Sequence, residues 1–331
     1  MATHPSLPKR VLVDLNAECN LKCPKCLLYG ENKSDELVNQ VVGNRLSNSM
    51  VSSLADQLEQ ANSMVGPALW SEPLLNPDFK SHISALRKRN LPVSINTNGL
   101  LLTEEISRFI VESAVESVCI SIDAVTKDTL QSARGTRLLD KIEKNTIGLI
   151  KIRDRSDFDV PRIGVSFTEE PSNQHEKELF ISKWIEIADF VRVGKVFDGN
   201  TFESIESTLP SRTPCPALYT TMAIQASGDV SICCLDAYSS TIVGNIHDSS
   251  VSDIWNGPRI QEVREMHERN DYSKLEICQN CQRWNSYNFA EYVEGNVLVR
   301  SSSEYTYYNR LDKMHTWPST ISKELHEPSN L

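Results

Sequence analysis

The chain has 331 residues, 40% of them hydrophobic and 24% charged, with a formal net charge of −10 and nine cysteines. No block of Lys and Arg offers a basic surface to a phosphate backbone, which excludes nucleic acid as the main partner, and no apolar run is long enough to cross a bilayer. The N-terminal Met-Ala-Thr-His-Pro-Ser-Leu-Pro-Lys-Arg lacks the apolar core of a secretory signal, so the chain reads as cytoplasmic, where clustered cysteines point to metal and not to disulfides.

From residue 10 to residue 197 short apolar runs alternate with longer helical patterns. Strands are predicted at 11–15, 68–70, 93–96, 118–123, 162–167 and 190–196, and helices at 49–63, 78–89, 104–113, 138–153 and 175–187. In the last helix Leu179, Phe180, Trp184 and Ile187 recur at helical spacing and are predicted to face a sheet. Strands alternating with helices imply an α/β fold with parallel pairing and right-handed crossovers. Functional groups in such folds gather at the carboxyl ends of the strands.

Those ends carry the polar groups of interest. After the first strand come Cys19, Cys23 and Cys26 as C-x3-C-x2-C. Three thiolates on one loop suit a [4Fe–4S] cluster with one iron left without a protein ligand, and by count alone a zinc knuckle as well. After the second strand stands Trp70-Ser71-Glu72-Pro73, and after the third Asn96-Thr97-Asn98-Gly99, where Asn-Gly marks either a turn or a site. Alternation along the fourth strand puts Ser121 and Asp123 on one face, opposite Ile120 and Ile122. Cys119 in that strand reads as a small buried residue. Arg134 follows, open to a surface or a site role. On the sixth strand Arg192 and Lys195 are the cations best placed to reach the barrel mouth, as substrate anchors, proton acceptors or rim ion pairs.

Residues 198–214, rich in Ser, Thr and Pro, read as a linker. Beyond it Cys215, Cys233, Cys278 and Cys281 are spaced C-x17-C-x44-C-x2-C, and four thiolates suit a fully ligated [4Fe–4S] cluster or structural zinc. A hairpin starting at 222–226 and a helix at 258–269 are predicted between them. Cys234 points opposite to Cys233 in a strand, so it is either core or turned to a cavity. Residues 286–331 are polar with scattered tyrosines and read as a partly ordered tail, covering the barrel mouth or loose.

The Cys19/Cys23/Cys26 loop, with Glu72-Pro73 and the Asn96–Gly99 segment, resembles the radical S-adenosylmethionine (SAM) family. The downstream cysteines, with Gly228-x4-Cys233 and the following helix, resemble that family's SPASM/twitch extension. The resemblance implies a partial (β/α)6 TIM-like barrel over residues 1–197 and a twitch/SPASM-like domain over 215–285. It further implies two [4Fe–4S] clusters, one binding SAM and one auxiliary. Glu72 and Pro73, with Ser71 and Trp70 where the family has glycines, fall near the SAM amino group. Asn96 and Asn98 fall near SAM, Ser121 and Asp123 toward its ribose, and Arg134 near its carboxylate or the substrate.

The implied chemistry is reductive cleavage of SAM to a 5′-deoxyadenosyl radical that takes a hydrogen from a substrate carbon. The leading expectation is oxidation of a secondary alcohol of a sugar, cyclitol or other small metabolite, the auxiliary cluster taking an electron. The alternatives are epimerisation with Cys234 as hydrogen donor, cross-linking of a short peptide, and a non-enzymatic iron–sulfur protein. An external one-electron reductant such as flavodoxin or ferredoxin is implied. The first strand begins near residue 11, leaving no room for an N-terminal leader-binding domain, which favours a small molecule over a peptide.

Overall fold

The computed structural model describes residues 5–31, 33, 38–39, 41–197 and 211–317. Val11, Leu12 and Val13 are all buried, as in a strand covered on both faces. That strand, β1 (Arg10–Val13), pairs in parallel with β2 (Met64–Gly66). The strands β3 (Ser94–Thr97), β4 (Ser117–Ser121), β5 (Arg162–Glu169) and β6 (Phe190–Lys195) pair in parallel in that order. A bridge between Val65 and Val93 joins β2 to β3, so the six strands run as one partial barrel.

Helices cover the outside: α1 (Asn48–Leu58), α2 (Phe79–Arg87), α3 (Glu104–Glu112), α4 (Lys127–Arg134), α5 (Leu139–Asp154) and α6 (Lys177–Ile185). Ser47, Thr103 and Thr126 cap α1, α3 and α4 by accepting from the backbone N–H three residues on. Glycine 135 ends α4 at φ +70°, and a Cβ there would stand 2.9 Å from the Lys22 carbonyl. The close approach seats the end of α4 against the cysteine loop.

Both open edges of the barrel are extended. Strand β7 (Thr221–Ile224) pairs in parallel with β1, and β8 (Asp229–Ser231) and β9 (Ile242–Asn245) follow antiparallel. The short helix α7 (Val251–Trp255) and the longer α8 (Pro258–Glu268) pack behind them. At the other edge β12 (Tyr305–Arg310) pairs antiparallel with β6, and β11 (Val297–Ser301) and β10 (Ala290–Glu294) continue outward. The architecture is mixed α/β: a partial barrel-like sheet with a C-terminal strand-and-helix extension of SPASM type.

Four expectations are corrected. The second strand lies at Met64–Gly66, not 68–70, because the buried Asp14 carboxylate takes the N–H groups of Leu69, Trp70 and Ser71 and holds that stretch as a loop. Helix α4 was not foreseen; only Thr129, Leu130 and Ala133 of it are buried, too short a stripe to read by period. Leu179 is 59% exposed, and the buried face of α6 is Phe180, Ile181 and Trp184. The expected tail supplies three strands of the main sheet. Of the linker, 198–210 lie outside the described residues, as do 318–331 of the C-terminal segment. Among the described residues no helix is long and apolar enough to cross a membrane.

Candidate active site and auxiliary thiol site

The loop after β1 winds tightly: Cys26 N donates to Cys23 O at 2.9 Å and Gly30 N to Cys26 O at 2.9 Å. Backbone N–H groups also point at sulfur, from Leu21 to Cys19 and from Leu28 and Tyr29 to Cys26. Burial pushes the Cys19 thiol up to about 12 and raises Cys26 as well, while Arg134 pulls the latter back. A bound cation would oppose this shift and favour the thiolate form of Cys19 and Cys26.

Behind the loop a second layer fixes the strand ends. Asp14 accepts from Ser71 Oγ at 2.5 Å and from Leu69 N at 2.7 Å, and burial raises its carboxyl. Glu72, 2% exposed, accepts from Thr97 Oγ1 at 2.7 Å, Asn98 N at 2.7 Å and Leu74 N at 3.2 Å. Burial raises its carboxyl despite these donors. Its backbone N donates to Glu18 O at 2.9 Å, so one residue ties the second and third strand ends to the cysteine loop. Pro73 is buried at the start of a short 3-10 turn. Asn98 donates from Nδ2 to Asn20 Oδ1 at 2.7 Å, which draws the Asn-Gly turn onto the same loop.

The fourth strand departs from expectation. Ser121 lines the cleft, but Asp123 adopts φ +66° and leaves the alternation. Its carboxylate is buried between Lys25 Nζ at 2.9 Å and Arg134 Nε at 3.1 Å, and accepts from Thr168 N at 2.6 Å. Burial alone would raise this carboxyl; Lys25 and Arg134 together outweigh it and hold it below its usual value. Asp123 is therefore engaged by cations and does not line the cleft with Ser121. Lys25, inside C-P-K-C, also reaches Glu170 at 3.3 Å.

These elements enclose a cleft of about 290 Å³ whose walls include all three loop cysteines, Glu72, Asn96 and Arg134. Ser71, Asn98 and Ser121 also line it, as does Thr97 of the same Asn96–Gly99 segment, and so do Thr168 and Lys25, which the sequence did not single out. Lys25 was readable, because it sits between two predicted ligands. Cys119 is buried, as expected. Lys195 does not reach this cleft: it pairs with Glu169 at 3.5 Å beside a separate outer groove. Arg192 stacks over Tyr305 with its guanidinium 5.6 Å from the ring centroid.

In the extension, Cys215, Cys233, Cys278 and Cys281 line one small enclosed space of about 30 Å³, with Arg212, His267 and Arg283. Leu235 N donates to Cys233 Sγ at 3.4 Å and Arg283 N to Cys281 Sγ at 3.4 Å. Cys215 N donates to His267 Nδ1 at 3.3 Å. Burial pushes Cys215 and Cys278 up to about 12. Cys234 does not line this space. The strand ends at Ser231, so Cys233 and Cys234 stand in a turn with their thiols hydrogen-bonded to each other and not on opposite faces. The Cys234 carbonyl accepts from Trp70 Nε1 at 3.2 Å. Trp70 lines the cleft, so one hydrogen bond spans the two sites.

Seven thiols on two loop systems, with N–H groups aimed at the sulfurs of Cys19, Cys26, Cys233 and Cys281, are the donor chemistry that iron–sulfur clusters take. Among the described residues no three His, Cys, Asp or Glu side chains are drawn together closely enough to hold a single metal ion. The fit thus rests on donor type and hydrogen bonding.

Comparison with known proteins agrees. The sequence profile of the radical SAM superfamily matches residues 16–151, and that of SPASM, an iron-sulfur cluster-binding domain, matches residues 215–282. The chain belongs to the radical SAM enzymes with a C-terminal SPASM domain, which sets aside the non-enzymatic reading. Its fold is similar to that of BtrN, a 2-deoxy-scyllo-inosamine dehydrogenase solved in complex with AdoMet (SAM) and 2-DOIA. The TM-score is 0.54 at 18% identity, over 83% of this chain and 93% of BtrN. It is also similar to SuiB of Streptococcus suis bound to the precursor peptide SuiA, with TM-score 0.61 at 15% identity, over 79% of this chain and 67% of SuiB. A curated relative is the tungsten-containing aldehyde ferredoxin oxidoreductase cofactor-modifying protein of Pyrococcus furiosus. It is 24% identical over 159 residues, which are 47% of this chain and 42% of that protein. The chain thus spans under half the length of that relative.

Proposed function

We propose that the chain binds SAM in the cleft beside Cys19, Cys23 and Cys26 and oxidises a secondary alcohol of a sugar, cyclitol or similar small molecule. The observation that carries this reading is the pairing of an open polar cleft beside three thiols with a closed space beside four. When bound, SAM and two [4Fe–4S] clusters would supply a 5′-deoxyadenosyl radical at the cleft and an electron acceptor behind it.

The chain's own residues hold and orient. Cys19, Cys23 and Cys26 serve as ligands of the SAM-binding cluster, and Cys215, Cys233, Cys278 and Cys281 as ligands of the auxiliary one. Glu72, pre-tied by Thr97 and Asn98, presents its turn and buried Pro73 to the SAM amino end, with Ser71, Asn96 and Asn98 near it and Ser121 toward the ribose. Arg134 keeps one face on the cleft while Asp123 fixes its position, which suits it to the SAM carboxylate. The buried Lys25–Asp123–Arg134 cluster holds the cysteine loop against the fourth strand. An external one-electron reductant, such as flavodoxin or ferredoxin, completes the cycle.

A peptide substrate is a second reading, supported by the fold likeness to SuiB with its bound peptide. Epimerisation of a small molecule or peptide, with Cys234 as hydrogen donor, is the other reaction carried, Cys234 being a thiol that lines neither site. Anaerobic reconstitution, reduction and addition of SAM test the proposal, with 5′-deoxyadenosine and a carbonyl product expected. Deuterium from D2O appearing in the product would instead mark epimerisation, and absence of 5′-deoxyadenosine from fully loaded protein would overturn both.

A further inference from the structure

The inner wall of the barrel carries a row of polar groups, of which the proposed function uses only Ser121 at the cleft end. Ser121 on β4 is paired with Ser166 on β5, Ser166 with Arg192 on β6, and Arg192 with Tyr307 on β12. Residues in register across a sheet share a face. The opposite face is fixed by packing: Phe167 meets Phe180 of α6 at 5.0 Å between ring centroids, outside the barrel. Ser166 and Arg192 therefore look inward, on the face where Ser121 and Thr168 line the cleft. One register step on, Gly194 leaves room for the Tyr305 ring, which a Cβ would meet at 3.0 Å.

The charge of Arg192 distinguishes it from its neighbours. Lys25 and Arg134 answer to Asp123, Arg283 to Glu304 at 3.2 Å, and Lys195 to Glu169. Arg162, deeper in the barrel, is closed off between the Phe190 and Trp317 rings at 4.6 and 4.5 Å and donates to Asn309 Oδ1. Among the described residues Arg192 has no carboxylate partner; the groups that act most on it are Cys119, Tyr307 and Tyr305. A cation in a barrel interior without a counter-charge is unfavourable unless a ligand supplies one. Its planar fork matches a carboxylate or phosphate.

We propose that the barrel lumen beside β6 and β12 is a subsite for an anionic group of the substrate, a carboxylate or a phosphate. The Arg192 guanidinium holds it, with the hydroxyls of Tyr307 and Ser166 beside it. The inference rests on the proposed function in taking this lumen as the substrate chamber, and it narrows the substrate to a hydroxylated molecule that carries a negative charge. It also gives the C-terminal strands a role, since β12 supplies one side of the subsite.

Calorimetric titration of the reconstituted, SAM-loaded full chain with inorganic phosphate, and separately with acetate, tests it. At least one anion is expected to bind saturably, and the one that binds more tightly tells phosphate from carboxylate. Arg192→Gln is expected to weaken that binding about tenfold or more, and Arg192→Lys, which keeps the charge without the fork, by an intermediate factor. No saturable binding of either anion, or equal binding by Arg192→Gln, overturns the subsite. Should Arg192→Gln fail to fold, Tyr307→Phe carries the test: weaker binding supports the subsite and unchanged binding overturns it. Release of 5′-deoxyadenosine by the wild type is scored apart. Its absence alongside Arg192-dependent anion binding defeats the proposed function alone, and its presence without anion binding defeats the subsite alone.

Discussion

The three-cysteine loop opens onto a polar cleft of about 290 Å³, whereas the four cysteines of the extension surround about 30 Å³ walled by Leu218, Ile232, Leu235 and Ile277. Three donors beside free volume leave a position for a small molecule to complete the coordination; four donors in a closed apolar space leave none. The cleft is also ringed by charged groups, Glu72, Lys25 and Arg134 among them, while Arg212 and Arg283 are the charges at the closed site. Openness, more than the number of thiols, separates the site suited to substrate chemistry from the site suited to holding electrons.

The sharpest way to break this contrast is to delete one thiol at each site. Cys19→Ala is expected to abolish 5′-deoxyadenosine formation, and Cys278→Ala to keep it while losing the electron acceptor. Iron assays should find about four atoms lost in either variant. Equal loss of SAM cleavage in both would show that the two sites do not divide the work.

Next in size is the charge cluster behind the cleft. Asp123→Asn takes the carboxylate partner from Arg134 and leaves Lys25 with Glu170, and is expected to destabilise the chain by about 3–5 kcal/mol, read from chemical denaturation. Asp123 has its carboxyl held below the usual 3.8, so its stabilising contribution is full above that value and fades as pH falls through the lower folded value. The gap between wild type and variant should therefore be flat from neutral pH to about 5 and shrink only in stronger acid. A gap that shrinks already between pH 7 and 5 would contradict the pairing.

Glu72→Gln comes third. It removes a buried acceptor from Thr97 and Asn98 and is expected to cost about 1–3 kcal/mol in SAM affinity, measured by calorimetry on the reconstituted protein. The smallest effect belongs to Trp70→Phe, which deletes the N–H donated to the Cys234 carbonyl together with the fused ring that carries it. About 0.5–1.5 kcal/mol of stability is expected to go, with SAM cleavage kept and the yield of oxidised product lowered. Product yield unchanged would sever the proposed link between the sites.

What the sequence revealed followed from local chemistry. Cysteine spacing needs no tertiary information, and Glu72-Pro73 after an apolar run is readable in the same way. Long-range partners were hidden. Asp14 sits at the end of the first apolar run and gives no sign that it will take three backbone donors 55 to 57 residues away. That same carboxylate made the apolar Ala68–Trp70 stretch a loop and displaced the predicted strand. Asp123 looked like the next inward residue of β4, and only its positive φ and the two cations turn it aside. The strands after residue 289 escaped notice because their apolar run, Val297-Leu298-Val299, is short and is flanked by tyrosines, serines and charges. Their pairing with β6 is set by an exposed barrel edge that no local pattern encodes.

The most direct test of the account is the electron paramagnetic resonance spectrum of a reduced Cys215/Cys278/Cys281→Ala variant, recorded with and without SAM. A spectrum of one [4Fe–4S] cluster that changes when SAM is added is the predicted result. A spectrum indifferent to SAM, or a loop occupied by zinc after anaerobic reconstitution with iron and sulfide, would contradict it.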